Sequence, residues 1–480
     1  MSGRVIDLER ITSEQSILHD HLDKGINLET DVAEVSRPIL DNEVYEDEVG
    51  RFRCQNSRKA IIADIELLHA FQQKSLNVPS FLEARPRAKL RFNPHTVHAA
   101  IVTTGGLAPG LHCVIHSIVK RHCHTYGIYQ DSGRIYGVYN SFKGLCNLAD
   151  NLVRLDSTMT ENWLDQGGSK LGSVRYLHND KKGDEAIAEM ADIITKNLQT
   201  NRIDILYVIG GDGSIRVAHE IAVRNSTRSI VAIPKTMDND ILWVWRAFGF
   251  DTAVEQATRV INTLKGEAEA TRRIALIELF GAESGFVAAN AALASGHVDT
   301  VLIPEVFKSL DESEVQSYLD KIIEHIKGRV EDRDLQHIPH AVVVVAEGVG
   351  TVLQDKGVCL EGIKVRKDTF INQLTQLIEK KVVDAHGQRV PIFLNQPRHY
   401  IRSIPANAHD QIYCERLGAL AVDSALAGFT NCMISQWLTE FVLVPMPLVT
   451  RGQKSIPVNG KFWKQVVSTT GQPLSPTKHE

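Results

Sequence analysis

Short runs of consecutive apolar residues alternate with longer segments of helical period through most of the chain. His98–Thr103 is one such run and closes on Gly105-Gly106, with a helix expected from about Leu111. Residues 204–209 form a second run, ending in Gly210-Gly211-Asp212-Gly213-Ser214, and Ser229 to Ile233 a third, ending in Pro234-Lys235-Thr236-Met237-Asp238-Asn239-Asp240. Ile274–Leu279, 300–303 and Ala341–Ala346 read as further strands. Helices are expected over 184–199, 251–265, 284–295, 311–328, 364–380 and 410–427. Near-continuous apolar strands separated by helices predict an α/β protein whose sheets are mainly parallel and covered on both faces. In such sheets ligands bind beyond the carboxyl ends of the strands. All three loops fall there.

The first 95 residues follow another pattern. Thr12-Ser13-Glu14-Gln15 has the form of a helix capping box ahead of Ile17, Leu18 and Leu22. Arg58 to Lys74 places Ile61, Ile62, Ile65, Leu68 and Phe71 at helical spacing. Residues 79–94, rich in proline and arginine, read as an irregular connector. Nothing before residue 98 carries a catalytic pattern. A structural or oligomer-contact extension is expected.

Composition adds bounds. At 480 residues the chain is long enough for two or three domains. Hydrophobic content of 43% and charged content of 23% are those of a globular protein. A net charge of -5 argues against a general nucleic-acid binder. No apolar run approaches the roughly 20 residues that span a bilayer, and the N-terminus lacks a signal-peptide core. A cytoplasmic protein without membrane or nucleic-acid partners is expected. The seven cysteines are scattered, which reads as reduced thiols.

The loops carry the candidate chemistry. Glycines let a backbone approach phosphate, and helix N-termini favour anions. In the 210–214 loop Asp212 puts a carboxylate where phosphate would be repelled unless a cation lay between them, and Mg²⁺ suits that mixed ligand set. In the 234–240 loop Asp238 and Asp240 can accept a proton from an attacking hydroxyl while Lys235 offsets phosphate charge. Solvated turns are the plain alternative for both. His112 and His116 have metal-ligand spacing, but Cys113 stands where a zinc protease needs glutamate. Trp243 and Trp245 either pack near the second loop or shape a substrate rim.

Taken in order, these loops resemble the phosphofructokinase family. The resemblance runs from about residue 98 to about 430. Besides the three loops it rests on Leu171-Gly172-Ser173-Val174-Arg175, Phe248-Gly249-Phe250-Asp251-Thr252-Ala253, Gly281-Ala282-Glu283-Ser284-Gly285-Phe286, Ala346-Glu347-Gly348 and His399-Tyr400-Ile401-Arg402. The extension and Ser403-Ile404-Pro405-Ala406-Asn407 are similar to the long ATP-using plant and kinetoplastid branch.

The resemblance implies two Rossmann-like three-layer domains behind an N-terminal extension of residues 1–95. Residues 96–249 with 404–430 would form the nucleotide domain, and 250–403 with 431–480 the sugar-phosphate domain. It implies ATP- and Mg²⁺-dependent transfer of a phosphoryl group to the 1-hydroxyl of fructose 6-phosphate. Asp238 matches the base, with Thr236, Asp240 and Arg175 as further catalytic positions. Gly106, Arg175, Tyr176, Gly211, Asp212, Gly213, Ser214 and Lys235 match the nucleotide side, Asp212 being the metal-associated carboxylate. Thr236, Asp238, Asp240, Arg273, Phe280, Gly281, Glu347, His399 and Arg402 match the sugar-phosphate side. The family's counterpart of Arg273 reaches a neighbouring subunit's site, which implies a homo-oligomer, a tetramer or dimer.

Gly213 favours ATP over pyrophosphate, because pyrophosphate users commonly carry aspartate there. Lys235 is common among pyrophosphate users but also occurs in the ATP-using long branch. Two positions depart from the family. Ala282 replaces the arginine of Met-Gly-Arg, and His112 replaces an asparagine. Arg272 or Lys235 is expected to supply the missing charge. A pyrophosphate-dependent enzyme and a weakly active regulatory subunit are the rival readings. NAD and diacylglycerol kinases share the Gly-Gly-Asp-Gly loop but lack the Pro-Lys-Thr-x-Asp-Asn-Asp element.

Overall fold

The structure is a computed structural model that describes residues 12–42, 58–62, 64–174 and 183–476. Two sheets organise the chain. The larger has nine strands, in the spatial order Arg58–Ala60, Ser80–Glu83, Glu440–Pro445, Cys432–Trp437, Ser229–Pro234, Ile205–Gly210, His98–Thr103, Arg134–Val138 and Leu152–Arg154. Its five central strands, from Cys432–Trp437 to Arg134–Val138, run parallel. The outer strands are antiparallel. The smaller sheet pairs Thr300–Leu302, Ala341–Ala346, Ile274–Leu279 and Ile392–Asn395, all parallel.

Alternation of side chains explains why the central strands read as unbroken apolar runs. Ile205, Tyr207 and Ile209 enter one core while Leu206 and Val208 enter the other. Both faces are covered by helices, so neither set can be polar. Register then fixes the loops. Thr103 lies opposite Ile209, and Gly210 opposite Pro234. The three loops that follow these strands therefore emerge side by side. In the smaller sheet Leu279 lies opposite Ala346, which brings residues 280–284 next to Glu347.

Three expectations are corrected. Residues 79–94 are not irregular throughout, because Ser80–Glu83 pairs with Glu440–Pro445 in the larger sheet and Lys89–Leu90 pairs with Leu40–Asp41. Residues 58–74 are not one helix. Arg58–Ala60 is an edge strand on Ser80–Glu83, and the helix begins only at Ile65, where the Asp64 carboxylate accepts from the Glu66 and Leu67 amides. Edge pairing overrode the helical spacing, and Ile65 is left exposed. Residues 431–480 also do not belong wholly with the second unit. Cys432–Trp437 and Glu440–Pro445 complete the larger sheet, because Cys432–Trp437 pairs directly with Ser229–Pro234. Only the later part joins the smaller sheet. There the helix Lys461–Thr470 packs on Phe286–Ser295, and Gln472 bonds both backbone groups of Val301.

The capping box forms as expected on the helix Ser13–Lys24. That helix is part of the larger unit's core through Leu18 and Leu22. Its Glu14 is buried and accepts the Trp243 amide at 3.2 Å. Trp243 itself is fully buried, edge-on to Phe81, so of the two tryptophans only Trp245 is exposed. Among the described residues no helix is long and apolar enough to cross a membrane.

Candidate active site

The loops at the carboxyl ends of the two sheets enclose a cleft of about 810 Å³. One wall is the first glycine loop. Gly105 has φ +84°, a conformation that a side chain strains, and its carbonyl accepts from the Ser173 hydroxyl at 3.0 Å. Its amide donates to the Val174 carbonyl at 3.2 Å. The 171–174 segment is thereby tied to the loop. Arg175 and Tyr176 follow immediately and lie outside the described residues.

The floor is the 210–214 loop, which opens the helix Asp212–Val223. Ser214 is buried, with its hydroxyl 3.5 Å from that of Thr104. Gly106 and Gly213 are informative in another way. A methyl group built on either would meet nothing within 4 Å among the described residues, so no contact among them demands glycine there. Both face the cleft.

The Asp212 carboxylate accepts from Gln453 Nε2 at 2.9 Å and faces the cleft beside the glycines. One carboxylate next to room for phosphate oxygens and water is the donor set that Mg²⁺ takes, in contrast to an all-protein cage. The residues fit such an ion. The one cluster of three metal-type ligands among the described residues, Asp251, His409 and Asp410, lies elsewhere. Both Asp410 oxygens there already accept hydrogen bonds from Gly249 and Thr252.

The second loop supplies the charged centre. Lys235 is buried and donates from Nζ to the Gly106 carbonyl, bridging the two loops. The Thr236 hydroxyl donates to Asp240 at 2.8 Å and accepts the Asp238 amide at 3.0 Å. Asn239 holds φ +55°, stabilised by its side-chain oxygen accepting the Ala247 amide. This kink turns Asp238 into the cleft. Ser284 clamps it from the other unit, donating to the Asp238 carbonyl at 2.8 Å. The Asp238 carboxylate keeps one oxygen without a hydrogen-bond partner among the described residues. Burial, and then repulsion from Asp240, push Asp238 up to about 7. Burial also raises Asp240.

Arg402 and Glu347 act on Asp238 electrostatically in opposite directions, Arg402 lowering its pKa and Glu347 raising it. The Arg402 guanidinium lies 3.7 Å from the centre of the Phe280 ring. Stacking of this kind holds the plane without consuming donors, and its Nε has no partner among the described residues. Gly281 turns so tightly that a side chain would strike the Ser284 carbonyl. Ala282 lines the cleft with no charge.

Arg272 lies outside its own chain's cleft. It sits before the strand Ile274–Leu279, at the end away from the cleft, and donates to the His337 carbonyl at 3.0 Å. Lys235 and Arg402 line the cleft. Arg273 is exposed at the same remote end, outside its own chain's cleft. His399 is exposed on the short helix Arg398–Arg402.

The histidine pair is structural. His112 Nδ1 donates to the Gln166 carbonyl at 2.8 Å and Nε2 accepts the Lys170 amide at 3.0 Å. His116 turns instead to Thr160. The substitution at 112 therefore holds the 166–170 segment.

Residues with no sequence signal complete the site. Phe142, Ala186, Ile187, Met190 and Val217 form an apolar wall beyond the glycine loops. Gln453 reaches Asp212 across 241 positions of sequence. Neither falls in a motif.

A parallel-sheet edge carrying two glycine loops, a cation-type carboxylate and a buried aspartate defines a phosphotransferase of the α/β class. Comparison with known proteins narrows this. Residues 98–425 match the family model described as Phosphofructokinase. The chain is 36% identical to the ATP-dependent 6-phosphofructokinase of Borreliella burgdorferi over 82% of its length and 85% of the relative's. It is 32% identical to that of Trypanosoma brucei brucei, over 81% and 75%. In fold it is similar to a pyrophosphate-dependent phosphofructokinase of Nitrosospira multiformis, with a TM-score of 0.59, 15% identity, and coverage of 80% of this chain and 94% of that one. The chain belongs to the phosphofructokinase family.

Proposed function

We propose that the protein transfers the γ-phosphoryl group of ATP to the 1-hydroxyl of fructose 6-phosphate, giving fructose 1,6-bisphosphate and ADP. The observation that carries this reading is Asp238, a buried carboxylate with an unengaged oxygen and a pKa lifted to about 7, in the cleft that both glycine loops line. A base of that strength can take a proton from a sugar hydroxyl at neutral pH as attack proceeds. The hydroxyl oxygen bonds to the γ-phosphorus, the bond to the β-phosphate oxygen breaks, and the proton ends on Asp238.

The remaining residues align and neutralise, which is most of what phosphoryl transfer requires. Gly106, Gly211, Gly213 and Ser214 would take the nucleotide phosphates. Lys235 would balance their charge, and Arg175 and Tyr176 would close that side. Thr236 and Asp240 would orient the reacting ends. Arg402, Glu347, His399, Phe280 and Gly281 would hold the sugar phosphate, with Arg273 supplied by a neighbouring subunit of a dimer or tetramer. Mg²⁺ bound at Asp212 would supply charge neutralisation between the nucleotide phosphates. The larger sheet would form most of the nucleotide domain and the smaller sheet the sugar-phosphate domain.

ATP is favoured over pyrophosphate by the apolar wall of Phe142, Ile187, Met190 and Val217. Pyrophosphate has no apolar part to bury there, whereas a purine ring does. The open space at Gly213 supports the same donor. The test is a coupled assay of the purified chain with fructose 6-phosphate and each donor in turn. Turnover with ATP and Mg²⁺ is expected. Turnover with pyrophosphate alone would overturn the donor, and none with either would favour a regulatory subunit.

A further inference from the structure

We infer that Gln453, in a strap formed by residues 453–456 beyond the family-matched span, is a positioning residue that fixes the Asp212 carboxylate for its cation. Each residue of the strap is hydrogen-bonded or bridged to another part of the chain. Gln453 Nε2 donates to Asp212 Oδ2 at 2.9 Å. Gln453 also bridges Ile241 in the chain just after the second loop. The Lys454 amide donates to the Asp240 carbonyl at 2.8 Å, and its buried Nζ donates to the Val244 carbonyl at 2.6 Å. The Ser455 amide donates to the Ser13 hydroxyl at 3.3 Å. The Ile456 amide donates to Glu305, whose carboxylate also holds the Gly285 amide.

The strap is thus fixed to both units, and Gln453 is the side chain it extends into the cleft. A carboxylate with two equivalent oxygens swings about its own bond unless one is held. An amide donor on Oδ2 restrains that swing and leaves Oδ1 as the oxygen that Gln453 does not engage. It does so without adding charge, so Asp212 keeps its full affinity for a cation. Partners of this kind commonly contribute about 10- to 100-fold to metal affinity. Gln453 is itself exposed, so its removal costs no core.

This inference rests on the reading of Asp212 as the cation carboxylate, and the experiment separates the two. Mn²⁺ is titrated into the full chain saturated with β,γ-methylene-ATP, with free Mn²⁺ followed by electron paramagnetic resonance. The parent, Gln453→Ala and Asp212→Asn are compared, and melting temperatures check folding. Gln453→Ala should melt like the parent and raise the Mn²⁺ Kd about tenfold or more. Asp212→Asn should raise it further. If Asp212→Asn weakens binding but Gln453→Ala does not, the positioning role is wrong and the site reading stands. If Asp212→Asn leaves binding intact, the site reading fails and takes the inference with it. Should Gln453→Ala melt lower, Gln453→Met keeps the chain length and removes only the donor, and normal Mn²⁺ binding by it would overturn the proposal.

Discussion

Asp238 is held where a carboxylate is least comfortable, and that discomfort has two measurable consequences. Its ordinary value of 3.8 is raised to about 7, first by burial and then by Asp240. In the proposed reaction the ionised form is the base, so kcat/KM should rise with pH through a limb near 7 that belongs to the Asp238–Asp240 pair. Asp238→Asn should remove that limb and lower kcat by about 100-fold or more. The stability change runs the other way. A raised folded pKa favours the fold at low pH, and that advantage is lost as pH rises through 7. The asparagine variant should therefore melt above the parent at pH 8, with the gap shrinking toward pH 5. A variant that melted lower at pH 8 would contradict the burial argument. Gly213 gives a second test at this scale. Because no atom of the described residues fills the space beside it, Gly213→Asp should fold normally. It should raise the KM for ATP about tenfold or more, because a like charge placed against phosphate is repelled and about 1.4 kcal/mol is tenfold.

At the scale of elements, the N-terminal helix and the 453–456 strap both brace the second loop from behind. Glu14 receives the amide of Trp243, a residue held at φ +62° in the segment that follows that loop. Removing the acceptor leaves a buried amide unpaired. Glu14→Ala should cost about 1–3 kcal/mol in urea unfolding. Loss of no more than a few tenths would mean that the helix does not support the loop. Element boundaries show what local pattern can and cannot reveal. His98–Thr103, Ile274–Leu279 and Ala341–Ala346 were legible to the residue, because strands buried on both faces leave no polar interruption. The 58–74 segment was not, because an apolar run of mixed spacing suits either element. The strand at Ser80–Glu83 decided it.

At the scale of the whole molecule, Arg273 is the residue that one chain does not explain. It lies at the end of its strand opposite the cleft and is exposed. If it serves a neighbouring subunit, Arg273→Ala and Asp238→Asn lines should each be nearly inactive. Hybrids refolded from a mixture should regain activity, since a site with Asp238 from one subunit and Arg273 from the other is then intact. Mixtures no more active than either parent would place both residues in the same chain's site or remove Arg273 from the reaction.

The chain's own order of residues determined the class of fold, the loops and the catalytic candidates, because each is local. Strand burial, glycine spacing and neighbouring carboxylates all act within about ten positions. Tertiary structure decided what depends on distance. It buried Asp238 beside Asp240, set Arg402 against Phe280 and kept Arg272 out of its own chain's cleft. It gave residues 432–445 to the larger sheet. It also brought Gln453 to Asp212 from a stretch with no motif. One hydrogen bond between distant positions needs only a donor and an acceptor, and many sequences offer those; the fold alone chooses which pair meets.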